Sequence, residues 1–118
     1  MEKNAINFSE EVQHTIDFQK ARIAEANEAL KSDFNAENIQ EYQNAIRDFV
    51  SFAVTQIYLL STRSGWRDIP CRDLYGKASG IELLLKDLNA CLTSGDKESA
   101  CRQCDEIALL LNGLLMRN

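Results

Sequence analysis

The sequence predicts an all-α fold, an antiparallel up-down-up-down four-helix bundle, and three observations carry that expectation. Apolar residues recur at steps of three and four through four long stretches. No stretch alternates with period two, so none reads as a strand. Two of the three connections are only a few residues long, which makes the helices they join antiparallel neighbours.

The first helix is expected over about 10–31. Ser9 is placed to cap it, and Glu10 and Glu11 sit at the positive end of its dipole. Val12, Ile16, Ile23, Ala26 and Leu30 form one apolar stripe, and the polar Ser32-Asp33 ends the helix.

The second helix is expected over about 36–61, with Ile39, Tyr42, Ile46, Phe49, Ala53, Ile57 and Leu60 as its core stripe. Its second half is broader, because Val50, Phe52, Val54, Tyr58 and Leu59 spread apolar groups around most of the circumference. Such a helix is buried on more than one side. Either it is the central helix, or its outer face meets another subunit. Every helix of a four-helix bundle has a solvent side, so the second option is favoured, with Phe52, Tyr58 and Leu59 as the dimer interface.

The third helix is expected over about 71–93, opening near Pro70 as proline in a first turn allows. Leu74, Ala78, Ile81, Leu85, Leu88 and Leu92 make its stripe, widened by Leu84. Gly76 and Gly80 each cost about 1 kcal/mol of helix propensity relative to alanine. Close packing against a bulky neighbour such as Phe49 or Phe52 is the expected reason, and a backbone surface left open for a ligand is the sharper one. A tight turn at Thr93-Ser94-Gly95-Asp96, capped by Ser94 or Asp96, leads to a fourth helix over about 96–116. That helix carries Ala100, Cys104, Ile107, Ala108, Leu111, Leu114 and Leu115. The 118 residues are expected to form one domain around one core.

Composition narrows the function classes. The chain is 45% hydrophobic and 26% charged, with a net charge of −5, which argues against a general nucleic-acid binder. The charge is uneven: residues 1–60 carry −5, residues 61–77 carry +2 and residues 78–118 carry −2. No signal peptide and no apolar run long enough to span a bilayer are visible, so a cytoplasmic protein with reduced thiols and no membrane partner is expected.

The positive strip coincides with the long connection, 61–73, which holds the only proline (Pro70), the only tryptophan (Trp66) and three arginines. Arg63, Trp66, Arg67 and Arg72 are the candidate anion or partner site, since guanidinium groups fork onto phosphate or carboxylate and indole offers a stacking face. The plainer role is that Trp66 and Ile69 plug one end of the bundle while the arginines pair with nearby carboxylates. Cys71 and His14 map to the same end, and a thiol among arginines would be more acidic.

Other constellations read as structural. The topology brings Cys91, Cys101 and Cys104 to the opposite end, where small buried apolar roles outweigh metal or redox ones. Glu11-x-x-His14 has di-iron spacing, but the chain has one histidine in total. Glu25/Glu28 and Glu37/Glu41 read as solvated faces rather than a magnesium site. With no Gly-rich phosphate loop and no Ser/His/Asp set, no cofactor, no metal and no catalytic residue is expected.

The expected function is therefore a non-catalytic interaction module: an adaptor, chaperone-like or antitoxin/immunity-type bundle that docks a protein partner. It is expected to self-associate as a homodimer through the second helix. The competing class is a small-anion or nucleotide-binding domain, or an enzyme, with its site at 61–73.

Overall fold

The structure is a computed structural model that describes the backbone of residues 4–5, 9–63, 71–114 and 116–117, and the side chains of 9–59 and 76–114. Helix α1 spans Glu10–Ser32, α2 Ala36–Arg63, α3 Cys71–Ser94 and α4 Lys97–Leu114. They form an antiparallel four-helix bundle of 47 × 26 × 25 Å. A two-residue strand at each end of the chain, β1 (Asn4–Ala5) and β2 (Met116–Arg117), pairs antiparallel with Asn4 opposite Arg117 and Ala5 opposite Met116. Periodicity does not foresee this ladder, because two residues are too few to show alternation.

Local chemistry sets the helix ends. The Ser9 side chain accepts from the Val12 amide, so α1 starts at its capping serine. Between α1 and α2, Asn35 caps with its side-chain oxygen 2.8 Å from the Asn38 amide. Asn38 reaches back in turn: its Nδ2 donates to the carbonyl of Asp33 at 2.7 Å and to that of Ala29 at 3.2 Å, which also accepts from the Asp33 amide, so the start of α2 is tied to the end of α1. Gly95 adopts φ +72° and closes α3 as its amide donates to Leu92 O and the Asp96 amide to Cys91 O, a Schellman arrangement. Asp96 then caps α4, accepting from both the amide and the hydroxyl of Ser99. These bonds hold its carboxyl below the usual carboxylate range, the hydroxyl bond most of all.

The packing identifies α2 as the central element. It lies against α1 on one side and α3 on the other, and also touches α4 across the bundle. Ile39, Tyr42, Ile46, Phe49, Ala53 and Ile57 of α2 are all essentially buried, against only Ile16 and Leu30 on α1, whose extensive packing is with α2 alone. Phe52 and Val54, together with Val50, pack half-buried on the same core. The apolar breadth of α2 at Val50, Phe52 and Val54 thus has an intramolecular account, while Tyr58 stays 50% exposed. Burying each such large side chain contributes about 1.5–3 kcal/mol, so α2 carries much of the fold's stability.

The glycines of α3 differ from expectation. Among the described residues, a Cβ at Gly76 would meet nothing within 4 Å, and one at Gly80 would meet only Leu110 of α4, at 3.8 Å. Neither position is pressed by Phe49 or Phe52. Gly113 of α4 does have a neighbour: Lys77 lies along it and donates from Nζ to its carbonyl at 3.2 Å, a cation at the negative end of the helix dipole.

Candidate functional site

The residues assigned to the Arg/Trp connection fall outside what the structure describes. Trp66 and Arg67 lie wholly outside the described residues, and Arg63 and Arg72 are placed by backbone alone, at the end of α2 and the start of α3. Cys71, at the first position of α3, is likewise placed without its side chain. His14 stands in solvent on α1, 77% exposed and 4.0 Å from Glu10.

At the other end of the bundle, Cys91 and Cys104 are buried and Cys101 is half-buried, all as free thiols. Among the described residues, no three His, Cys, Asp or Glu side chains converge as metal ligands. Cys104 faces the Tyr42 hydroxyl, and the two perturb each other. Burial pushes the Cys104 thiol up to about 11, opposed by the hydrogen bond from Tyr42. Burial, then Cys104, pushes Tyr42 well above the usual phenol range. For Cys104, whose folded value is raised from 9.0, the neutral thiol is the folded form. Its stabilising effect is complete below pH 9 and is lost as the pH rises through about 11. A buried, neutral thiol is a poor nucleophile. At neutral pH, N-ethylmaleimide is accordingly expected to label Cys101 ahead of Cys91 and Cys104, read by peptide mass mapping. Labelling of Cys104 as fast as Cys101 would contradict the placement of Tyr42 against it.

Among the described residues, an open concavity lies between α2 and α3. Its volume is about 250 Å³, lined by Val50, Ala78, Ile81 and Leu85, with Ser51 at the α2 lip. Arg47 of α2 and Glu82 of α3 bridge the groove with a forked pair, Nε–Oε2 at 3.2 Å and Nη2–Oε1 at 2.9 Å. Arg47, followed by nearby Lys86, holds the Glu82 carboxyl below the usual range. Both partners are about two-fifths exposed, so the pair contributes at most about 1 kcal/mol to stability.

Helical spacing sorts the remaining candidates around α2. Asp48 pairs with Arg22 of α1 at 2.7 Å, and Phe52 and Leu59 follow on that α1-facing strip. Arg47 marks the α3-facing strip, on which Ser51, Val54 and Tyr58 follow. Tyr58, 50% exposed, therefore continues the groove's α2 lip, whereas Leu83, 64% exposed, is turned about 100° from Glu82 around α3 and away from the groove. Arg47, Ser51, Glu82 and Leu83 are absent from the candidate residues read from the sequence. Positions 35 apart that pair across helices leave no local spacing to read.

A second, smaller cleft of about 170 Å³ lies where α1 and α4 pass each other, lined by Lys20, Ile23, Ala108, Leu111 and Asn112 with Phe49 of α2 at its floor.

Comparison with known proteins supplies the fold and a family. The family model described as "Protein of unknown function (DUF327)" matches residues 2–115. A solved structure described as "Moevan: a designed granulopoietic protein by topological rescaffolding" is similar with a TM-score of 0.81 and 21% identity, over 97% of this chain and 99% of that one. Similarity at that level of identity speaks to the four-helix architecture alone. No curated protein matches the chain.

Proposed function

The chain belongs to the DUF327 family, and we propose that it is a non-catalytic interaction module whose binding surface is the α2–α3 face. The observation that carries this reading is the groove itself: an apolar floor, a forked ion pair across its rim, and half-exposed Tyr58 further along α2. An apolar furrow between two helices suits the apolar side of a partner helix. The volume of about 250 Å³ is below the roughly 300–1,000 Å³ of small-molecule sites, which favours a protein side chain over a metabolite.

Adaptor, chaperone-like and antitoxin/immunity roles all fit such a surface. A cytoplasmic setting agrees with the three free thiols and with the finding that, among the described residues, no helix is long and apolar enough to cross a membrane. The reading is tested by capture on immobilised protein. Ser51→Trp fills the groove from an exposed position, and Leu109→Glu alters an exposed leucine on α4. A protein captured by the wild type and Leu109→Glu but lost by Ser51→Trp is the expected result. Capture indifferent to Ser51→Trp would move the binding surface elsewhere.

A further inference from the structure

Cys101 and Cys104 stand one turn apart on α4, one at the edge of solvent and the other in the core. Cys101 is half-buried, within reach of a small solute, and Cys104 is 3% exposed; both are free thiols. Two other helices send polar groups to the same place. Tyr42 of α2 donates its hydroxyl to the Cys104 sulfur, and Lys31, in the last turn of α1, lies close enough to act on it. We propose that the two thiols form a peroxide-sensitive pair, in which Cys101 is oxidised first and Cys104 closes a disulfide onto it.

With hydrogen peroxide as oxidant the steps balance. The Cys101 sulfur attacks one peroxide oxygen: an S–O bond forms, the O–O bond breaks, and the departing hydroxide takes up the thiol proton as water. Cys104 then attacks the Cys101 sulfur: an S–S bond forms, the S–O bond breaks, and a second water leaves with the Cys104 proton. Two thiols are oxidised to one disulfide, and both peroxide oxygens are reduced. Burial works hardest against a thiolate on Cys104; the Tyr42 hydrogen bond favours it, Cys101 and Asp105 oppose it, and Lys31 favours it. Tyr42 is thereby a positioning residue, holding the attacking sulfur and supporting its charge.

Helix geometry permits the bond but does not relax it. Cα atoms three residues apart in a helix are about 5 Å apart, inside the disulfide range of roughly 4.4–6.8 Å. The Cβ atoms lie further from the axis and must close to roughly 3.5–4.5 Å, so the turn distorts as the bond forms. The pair sits in the second turn of α4, where a helix end yields more readily than its middle. Closure also draws Cys104 from Tyr42 and leaves a buried hydroxyl unpaired, which makes the oxidised form the less stable one. A strained disulfide is easily reduced, so the step reverses in a reducing compartment.

Trypsin reads the bond directly, because it cuts after Arg102, between the two thiols. After hydrogen peroxide, fragments 98–102 and 103–117 are expected to stay joined until dithiothreitol separates them, and the oxidised protein to melt at a lower temperature. In Cys104→Ser, dimedone is expected to trap a sulfenic acid on Cys101 that the wild type does not accumulate. Tyr42→Phe keeps the ring and is expected to slow closure about tenfold while leaving the first oxidation of Cys101 at its wild-type rate. Circular dichroism checks that both variants fold. Fragments that separate without reductant, or a 98–102 fragment joined to Cys91 instead, overturn the proposal. Closure at the wild-type rate in Tyr42→Phe overturns the part given to Tyr42.

Discussion

Truncating Phe49 to alanine is expected to cost about 3–5 kcal/mol of folding stability, the largest loss of any single side chain considered. Phe49 is 1% exposed at the middle of α2 and also floors the α1–α4 cleft, so its ring is shared by the packing of three helices. Rigid helices on every side cannot collapse into the space it leaves. Water entering through the cleft would meet apolar walls and regain little. The loss is read as a lower urea midpoint at unchanged slope. Leu109→Ala, at 72% exposure, is expected to stay within about 0.5 kcal/mol of the wild type. A Phe49→Ala cost below about 1 kcal/mol would mean that α2 is not the centre of the fold.

The second prediction uses one substitution at two glycines with opposite signs. Gly76→Ala is expected to stabilise by about 0.4–1 kcal/mol, because the position is helical, exposed and, among the described residues, open where the new methyl would go. Gly95→Ala is expected to destabilise by about 1 kcal/mol, because φ +72° is strained for any residue with a Cβ. Space is irrelevant there: a Cβ on Gly95 also meets nothing within 4 Å. At roughly 4 °C per kcal/mol for a chain of this size, melting curves separate the two variants by several degrees. Equal shifts would refute the assigned turn.

These two glycines show where the sequence can be read and where it cannot. Gly95 is legible because its role is settled within a few residues, by a helix on each side and Asp96 following as a cap. Ser9 is legible for the same reason. Gly76 invites an explanation by contact, and the structure gives none, since a glycine records the absence of a side chain but not what stands opposite. The breadth of apolar surface on α2 is plain in the sequence. Whether the covering atoms belong to the same chain depends on which helices surround it, and residue spacing along α2 carries no record of that.

The candidate site shows the same division. Val50, Ala78, Ile81 and Leu85 are legible as apolar positions on their helices, yet the furrow they make needs the distance between two axes. Arg47 and Glu82 meet across its rim from 35 positions apart, each looking like an ordinary surface charge. Asn38 is similar in kind: an asparagine in the first turn of α2 reads as a mild helix misfit until the end of α1 lies within its reach.

The short ladder between β1 and β2 has a topological consequence. Joining Asn4–Ala5 to Met116–Arg117 brings the chain's first and last described residues side by side, so the backbone traces almost a closed circuit. The α1–α2 and α3–α4 hairpins then become two arcs of one ring whose order along the polypeptide is a matter of where the ring is cut. A cut in the three-residue link at 33–35, with a short splice from 117 to 4, would preserve every helix neighbour described above while making α2 the first element and α1 the last.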